Sequence, residues 1–465
     1  MGQPAIPVSG WMLLPFGLML GLMALAPMYC PAWWEKHCGK AAFVLGAAGV
    51  LYCWLGLRNP GSVLRVALDY VSFMALIGSL FVVSGGIHVN IKGEATPRVN
   101  VFFLLFGGLL SNLLGTTGAS MLLIRPWLRM NRYRVTAHHV VFFIFIVSNV
   151  GGCLTPIGDP PLFLGYLKGV PFWWVALSCW PMWAVGMAFL LGAFYVVDSL
   201  NYGRAPKAVR LRLAEGTAQA GWHGNPTLPG GQAPMHAPAE AHHRWQFAGL
   251  ANLAFLAVIL GAVFIEHPLF LREGLMAAAA LGSYFTTPEQ IHRENHLEFH
   301  PLREVAVLFA GVFATMLPGL EWLRQNAGNL AGPSPGFFYL GSGTLSSFLD
   351  SAPAYLGFLN AAFGRFVDPV WGAAHGSAAL APGDDRAKVA FLLANPALSR
   401  YVLALSLGSV FFGANTYIGN GPNLLVKAIA DHQKVRTPSF LGMVLRYTLP
   451  CMVPLLTLIW LLFLR

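Results

Sequence analysis

Long apolar stretches recur throughout this 465-residue chain, and many reach the roughly 20 residues that a helix needs to cross the hydrocarbon core of a bilayer. Charged residues make up only 10% of the chain, compared with about 25% in an ordinary globular protein. The stretches are continuous rather than alternating, which favours spanning helices over the strands of a closed β-barrel. The sequence therefore predicts an all-α, polytopic membrane protein.

About ten transmembrane helices and two re-entrant hairpins are predicted from these stretches. The hairpins are expected at about 99–125 and 336–364, where small and polar residues interrupt the apolar run. Five crossings and one hairpin precede a long central connection, and five crossings and one hairpin follow it. Because an odd number of crossings reverses the second half, the sequence predicts an inverted-topology repeat. The crossings are expected near residues 11–30, 41–57, 67–88, 138–167, 172–199, 246–265, 271–286, 303–320, 400–430 and 440–464.

The predicted repeat divides the chain into three parts. Residues 1–199 form the first inverted repeat and residues 246–465 form the second. Residues 200–245 have no apolar periodicity and are partly rich in Gly, Pro and Ala, so we expect a flexible linker. Placing the arginine-rich loop at 125–134 in the cytoplasm puts most basic residues on that side, as the positive-inside rule requires. The linker is then cytoplasmic, and both termini are extracytoplasmic.

Charge, cysteines and motifs exclude several classes of protein. The net charge of +10 does not predict a nucleic-acid partner, because the basic residues lie in short connections between apolar segments. Six scattered cysteines without a Cys-x-x-Cys pair support neither a disulfide framework nor a zinc site. The sequence contains no Gly-rich phosphate loop, zincin motif or catalytic triad. We therefore expect a protein that contacts membrane lipid, is not an enzyme and has no cofactor.

One motif occurs twice, each time inside a long apolar stretch. The segment from Thr155 to Pro161 reads TPIGDPP, and the segment from Thr416 to Pro422 reads TYIGNGP. Helix-breaking residues at matching places in two apolar segments are the best sequence pointer to the binding site of a transporter. The glycines expected to break these helices are Gly152, Gly158, Gly413 and Gly419.

Two carboxylates are expected within the membrane, Asp159 in the first helix break and Asp350 at the tip of the second hairpin. A charge there costs roughly 2.5–3.5 kcal/mol or more, so such residues usually face a polar interior and serve function. Hard cations prefer oxygen ligands, and both carboxylates are predicted to bind Na⁺ and to exchange protons. The predicted ion- or substrate-binding residues are Asp159, Asp350, Asn112, Thr116, Thr155, Ser346, Asn415, Thr416, Asn420 and Asn423.

Structural roles remain open alternatives for some of these residues. Asp159 could serve only to cap the second half of a broken helix. Thr155 and Thr416 could bond to the backbone of their own helices. The adjacent histidines at 138–139 begin the fourth predicted crossing and are interpreted as interfacial, and Asp198 near a crossing end requires no further role.

The hairpins and helix breaks resemble those of the ion transporter superfamily. This group contains NhaD-type sodium/proton antiporters, arsenite-pump membrane subunits and sodium-coupled citrate or dicarboxylate carriers. The resemblance rests on residues 111–117, 148–160, 349–353 and 413–423, and it extends over most of the chain outside the linker. It implies a homodimer with a fixed scaffold domain, a moving transport domain, and coupling to Na⁺ or H⁺. The dicarboxylate branch expects Ser-Asn-Thr signatures, whereas Leu113 follows Ser-Asn here.

The sequence favours a secondary active transporter of the NhaD-type branch that exchanges Na⁺ or Li⁺ for H⁺. The alternative is a sodium-coupled symporter for citrate, a dicarboxylate or another small organic anion. We find no basic residue expected near the bilayer midplane, which favours the antiporter. A channel or membrane scaffold without coupled transport is a third possibility, and the paired helix breaks argue against it. The predicted location is the bacterial cytoplasmic (inner) membrane.

Overall fold

The computed structural model describes residues 8–92, 96–132, 134–204, 244–265, 267–295, 297, 299–326, 334–349, 351–370 and 385–465. Its α-helices are α1 (Leu14–Tyr29), α2 (Pro31–Leu51), α3 (Pro60–Gly85), α4 (Pro97–Met130), α5 (Ala137–Ile146), α6 (Pro160–Leu167), α7 (Phe172–Arg204), α8 (Asn252–Ala262), α9 (Leu271–Thr286), α10 (Glu289–Glu294), α11 (His300–Asn326), α12 (Pro335–Phe348), α13 (Ser351–Ala362), α14 (Asp385–Ala394), α15 (Pro396–Gly413), α16 (Gly421–His432), α17 (Phe440–Met443) and α18 (Val453–Ile459). Shorter 3₁₀ and π-helical segments lie at Gly10–Leu13, Tyr52–Gly56, Val150–Leu154, Phe363–Val367, Val444–Met452 and Trp460–Leu464. The strands are β1 (His88–Lys92) and β2 (Arg244–Ala248).

Eight helical segments in the described part of the chain are long and apolar enough to cross a membrane. They are Lys36–Gly56, Pro60–Gly85, Pro97–Met130, Ala137–Leu154, Phe172–Arg204, Leu302–Leu323, Pro396–Gly413 and Phe440–Leu464. Two shorter apolar helices, Gly10–Met23 and Asn252–Ala262, match further predicted crossings. Helix α9 matches the crossing predicted at 271–286, but it has only 16 residues and is not among the eight. The predicted all-α, polytopic membrane class is confirmed.

Helix α5 and the 3₁₀ turn after it are buried by the rest of the chain. In the apolar window of Ala137–Leu154, 89% of the residues are buried, whereas in that of Lys36–Gly56 only 22% are. A helix that is apolar on all sides and buried on all sides is surrounded by protein rather than by lipid. Polar groups that follow α5 are therefore shielded from the membrane.

Helix α4 folds back on itself at Gly115, whose φ of 71° and ψ of 158° interrupt the helix. The side-chain amides of Asn100 and Asn131 exchange hydrogen bonds of 2.9 and 3.1 Å. A straight helix would separate these two residues by about 46 Å. The rings of Phe103 and Trp127 also stack, with centroids 5.3 Å apart. The first predicted hairpin is confirmed, and its tip lies at Gly115.

Helices α12 and α13 form the second predicted hairpin. Their arms are in contact, since the rings of Phe338 and Phe358 lie 5.4 Å apart. A Cβ on Gly341 would lie 2.5 Å from the ring of Phe358, so a small residue is required between the arms. Asp350, the carboxylate predicted at this tip, lies outside the described residues.

Two apolar helices are interrupted where the repeated motif predicts. In the first half, α5 ends at Ile146 and α6 begins at Pro160, with a 3₁₀ turn and an irregular segment between them. In the second half, α15 ends at Gly413 and α16 begins at Gly421. Each restarted helix has at least one proline within its first two positions. A backbone N–H there is not needed for helical hydrogen bonding.

A two-stranded antiparallel ribbon, which the sequence analysis did not predict, joins the two halves. Strand β1 pairs with β2 so that His88 lies opposite Ala248. Gly249 has a φ of 75°, and a Cβ there would lie 2.0 Å from the carbonyl oxygen of Gly86. The crossing predicted from residue 246 therefore begins later, because the chain must first complete the ribbon and this tight turn.

The predicted linker at 200–245 is only partly described. Helix α7 continues to Arg204, and strand β2 begins at Arg244, so both ends of the predicted linker belong to regular structure. Residues 205–243 lie outside the described residues. The division into repeats at 1–199 and 246–465 stays a prediction.

Candidate functional site

Close backbone contacts shape both helix breaks. A Cβ on Gly158 would lie 2.0 Å from the carbonyl oxygen of Gly152, and one on Gly419 would lie 2.6 Å from that of Gly413. Any larger residue at 158 or 419 would push the two backbone segments of its helix break apart, since real Cβ atoms do not approach an oxygen so closely. The four glycines predicted as helix breakers therefore lie in contact as two pairs, one pair in each break.

The tip of the first hairpin contacts the first helix break directly. The backbone N–H of Thr116 donates to the carbonyl of Gly158 at 2.8 Å. Its hydroxyl donates to Asp159 Oδ1 at 2.9 Å. Asp159 is only 1% exposed. It occupies the N-cap position of α6, yet its side chain makes no capping hydrogen bond. The carboxylate is therefore held by the hairpin tip and does not serve as a helix cap.

The second helix break supplies another donor to the same carboxylate. Asn420 Nδ2 donates to Asp159 Oδ1 at 2.9 Å, although the two residues are 261 positions apart. The same amide group lies 3.2 Å from the carbonyl of Ser148 and 3.2 Å from Asn149 Oδ1. Asn420 is the repeat counterpart of Asp159, so the two breaks meet at their equivalent residues.

Asn149 is a further residue at this meeting point that was not among the predicted site residues. Its Nδ2 donates to Asn423 Oδ1 at 2.7 Å and to the carbonyl of Ile144 at 2.8 Å. Asn423 in turn donates to the carbonyls of Gly413 and Thr416, both at 2.8 Å. The only sequence signal for Asn149 is its place in the run before the first break, three residues ahead of Gly152.

Other predicted residues hold the backbone of the tips and breaks in place. Thr155 donates to the carbonyl of Asn112 at 2.7 Å, and Thr416 donates to that of Ser347 at 2.5 Å. Ser346 donates to the carbonyl of Ser409 at 2.6 Å. The two halves therefore use equivalent threonines to attach each hairpin to its helix break.

Asn112 has the same fastening role in the first half. Its side chain donates to the carbonyl of Gly151 at 2.7 Å, and its Oδ1 accepts from the N–H of Leu154 at 2.9 Å. In the second half, Asn415 Nδ2 donates to Ser347 Oγ at 2.9 Å. These contacts hold each hairpin tip against its helix break, since hydrogen bonds within a buried polar network favour one arrangement.

Several buried oxygens of the second hairpin and second helix break have no hydrogen-bond partner among the residues that the structure describes. They include Ser351 Oγ, Asn415 Oδ1 and Asn420 Oδ1. Leaving such groups unsatisfied costs about 1–3 kcal/mol each, so each requires an explanation. Ser351 lies four residues after Ser347, as Thr116 lies four residues after Asn112, so it is the counterpart of Thr116. These oxygens are therefore candidate ligands of an ion.

A small cavity lies between α3 and the first tip. Its walls come from α3, from the tip and from the segment around Asp159. The lining residues are Phe73, Leu76, Ile77 and Leu80 of α3, residues 114–118 of the tip, and Ile157, Gly158, Asp159, Pro160 and Phe163. The cavity has a volume of about 20 Å³, enough for roughly one water molecule or one dehydrated ion. The described residues that line it include no Lys, Arg or His. The site thus combines a buried carboxylate with neutral oxygen donors.

A second group of titratable residues lies away from this site, at the base of the first hairpin. His138, His139 and Asp198 are all buried, and one ligand atom from each lies within 4.8 Å of the others. Arg134 pairs with both oxygens of Asp198, and Asn100 donates to Oδ2 at 2.9 Å. Because the guanidinium already neutralises the carboxylate, we interpret this group as an ion-pair clasp. The two histidines are buried within the protein, and the prediction that they lie at the depth of the membrane interface stays a prediction.

Comparison with known proteins assigns the chain to a broad class. A family model described as "Putative citrate transport" matches residues 5–464. A search of curated proteins finds no match to the chain. The matched range includes both hairpins and both helix breaks. The description names transport, and it does not single out the NhaD-type antiporter branch that the motifs resemble.

Proposed function

The chain belongs to the family described as "Putative citrate transport", and we propose that it is a secondary active transporter that exchanges Na⁺ or Li⁺ for H⁺. In this proposal it is not an enzyme, it needs no cofactor, and it carries Na⁺ and H⁺ as its substrates. The observation that carries the proposal is the buried carboxylate of Asp159, held between a hairpin tip and the second helix break.

The charge of Asp159 explains why exchange would occur. A buried carboxylate is costly unless a cation neutralises it, and the hydrogen bonds from Thr116 and Asn420 are both from neutral groups. None of the described residues that line the cavity is basic, and we propose that a bound Na⁺ or a proton compensates the carboxylate there. Since either one neutralises the same carboxylate, binding of a proton releases Na⁺ and binding of Na⁺ releases a proton.

A second cation site is proposed at the other tip. Thr116 donates to Asp159 in the first half, whereas the counterpart oxygens Ser351 Oγ and Asn420 Oδ1 have no hydrogen-bond partner among the described residues. A hard cation would satisfy both oxygens. Asp350 precedes Ser351 directly in the chain, and we propose that its carboxylate completes this site.

The alternative function is sodium-coupled symport of citrate, a dicarboxylate or another small organic anion. The family description names citrate, and α6 and α16 both begin at the helix breaks, where the partial positive charge of a helix N-terminus attracts anions. Citrate, however, is a much larger ligand, because it has three carboxylate groups and more than ten non-hydrogen atoms in total. The cavity beside Asp159 has room for about one water molecule and no cationic lining, which favours a single small cation.

Purified protein in liposomes that contain a pH-sensitive dye tests this proposal. A pulse of Na⁺ or Li⁺ outside is expected to drive protons out and raise the internal pH. The Asp159→Asn protein should fall to the rate of empty liposomes, because its amide cannot release a proton or compensate a cation. Asp431→Asn is the matched control, because Asp431 is exposed on α16 and pairs with Lys427.

Two results would contradict the antiporter. One is full exchange by the Asp159→Asn protein, which would remove the carboxylate from the mechanism. The other is a protein that never moves protons on Na⁺ or Li⁺ pulses but accumulates radiolabelled citrate only when Na⁺ is present. The second result would establish the symporter alternative.

The setting of the transporter is also proposed. Apolar side chains on α2 are largely exposed in the single chain, among them Phe43 at 77%. Such surfaces require lipid or another protein as a neighbour. We propose a homodimer in the bacterial cytoplasmic (inner) membrane, as the superfamily resemblance implies.

A further inference from the structure

Lys168 joins three separate elements just beyond the cavity. It follows α6, and its ammonium lies 2.7 Å from Asp69 Oδ2 on α3 and 3.0 Å from Asp385 Oδ2 at the start of α14. The three side chains are 14%, 20% and 27% exposed, so solvent screens the ion pairs only weakly. Burial alone would lower the pKa of Lys168, but the two carboxylates outweigh it and raise that pKa. The lysine is therefore charged at neutral pH.

The ion pairs lie in line with the two walls of the cavity. Asp69 precedes Phe73, the first lining residue of α3, by about one helical turn. Lys168 follows Phe163, the last lining residue of α6, by five positions, or between one and two turns. The bridge between Lys168 and Asp69 therefore spans the same gap that holds the cavity, at its end away from Asp159.

Further contacts hold the end of α6. The hydroxyl of Tyr166 donates to the carbonyl of Val263 at 2.8 Å. On the neighbouring face of α3, Ser72 donates to Glu273 Oε1 at 2.5 Å and accepts from Arg272 at 2.8 Å. Arg272 and Glu273 are paired with each other, and among the described residues Lys168 is the cation whose ion pair links the end of α6 to α3.

We propose that Lys168 is a latch that closes the cavity beside Asp159 from one side of the membrane, and that it releases Asp69 and Asp385 when this side opens. A transporter must expose its site to the two sides in turn, so the walls of the cavity must separate at one end and then at the other. The charge distribution of the sequence places this end on the extracytoplasmic side. The latch rests on the proposed transport function for its role in a cycle.

Labelling of a reporter thiol at the cavity tests the latch without any ion flux. Thr117 lines the cavity, and Thr117→Cys protein in intact cells is treated from outside with a membrane-impermeant maleimide. Peptide mass spectrometry then reads the rate of modification at position 117. Adding Lys168→Met should raise this rate about tenfold, as expected when charge-assisted hydrogen bonds that favour the closed state are lost. Adding Lys168→Arg should restore slow labelling, because the charge is kept.

Two further variants keep the result interpretable. Lys168→Met leaves two partly buried carboxylates uncompensated, so a triple variant with Asp69→Asn and Asp385→Asn removes the latch without that penalty and should label equally fast. Arg293→Met breaks an ion pair that is more than three-quarters exposed, and it should leave the labelling rate unchanged. An unchanged rate in the triple variant, or equal acceleration by Lys168→Arg, would overturn the latch.

The outcome is separate from that of the proposed function. Faster labelling in a protein that shows no Na⁺/H⁺ exchange would support the latch and reject the antiporter. Unchanged labelling in a protein that exchanges Na⁺ for H⁺ would reject the latch and leave the antiporter in place.

Discussion

Single glycines decide whether the first helix break can form. We expect Gly158→Ala to destabilise the protein by about 1–3 kcal/mol and to abolish transport, because its Cβ would lie 2.0 Å from the carbonyl of Gly152. Gly261→Ala in α8 is the matched control, since its Cβ would meet nothing within 4 Å. It should be neutral or stabilising by up to about 1 kcal/mol. Thermal unfolding in detergent and liposome flux measure both effects, and a neutral Gly158→Ala protein would contradict the close contact.

Residue types in a short motif predicted part of the site and missed the rest. Asp159, Thr116 and Asn420 were identified because helix breakers and oxygen-bearing residues recur at matching places, and the structure brings them together. Asn149 was not predicted as a site residue, because its contact with Asn423 joins positions 274 apart and is not visible in its own segment. The contact of His138 with Asp198 was missed for the same reason, since the carboxylate is 60 positions away.

At the scale of elements, the clasp at the base of the first hairpin ties the hairpin arms to α5 and α7. Asp198 is fully buried and pairs with Arg134, and Asn100 on the opposite arm donates to the same carboxylate. Arg134→Met would leave the carboxylate without its cation, so we expect a loss of about 3–5 kcal/mol. Arg293→Met, which breaks an exposed pair with Glu289, should cost at most about 1 kcal/mol.

The clasp also makes a distinctive double-variant prediction. Asp198→Asn in the Arg134→Met background should recover part of the lost stability, because the charge that needed compensation is gone. Thermal unfolding of the four proteins gives the coupling between the two sites. Equal melting temperatures for Arg134→Met and Arg293→Met would show that the clasp contributes no more than a surface ion pair.

Helices and hairpins that depend on neighbouring residues were predicted from the sequence, whereas elements that depend on distant contacts were not. The hairpins follow from small and polar residues inside apolar runs, and contacts such as that between Asn100 and Asn131 confirm the fold-back. The ribbon was missed because two strands of five residues give a weak local signal and pair across the whole of the predicted linker. Its tight turn at Gly249 could be identified only from the carbonyl that it approaches.

At the scale of the whole molecule, the two halves attach hairpin to helix break by equivalent hydrogen bonds but differ in one ionisable residue. A threonine in each break holds the preceding hairpin tip, yet the first half places Asp159 where the second half places Asn420. An exact repeat would bring two carboxylates together at this point, and like charges at such a distance repel. The asymmetry places a neutral amide beside Asp159, which suits the proposed competition of H⁺ and Na⁺ for that carboxylate.

Binding of a cation at this meeting point must stabilise the entire fold, since both halves contribute to it. At one hundred times its Kd, Na⁺ should stabilise the detergent-solubilised protein by about 2.7 kcal/mol, which raises the melting temperature by about 3 °C for a chain of this length. Choline at equal ionic strength should give no rise, and the Asp159→Asn protein should lose most of the Na⁺ effect. Citrate should add nothing to the shift that Na⁺ gives. A larger shift with Na⁺ and citrate together than with Na⁺ alone would identify an anion site and favour the symporter, because only a ligand of the folded state can raise its stability.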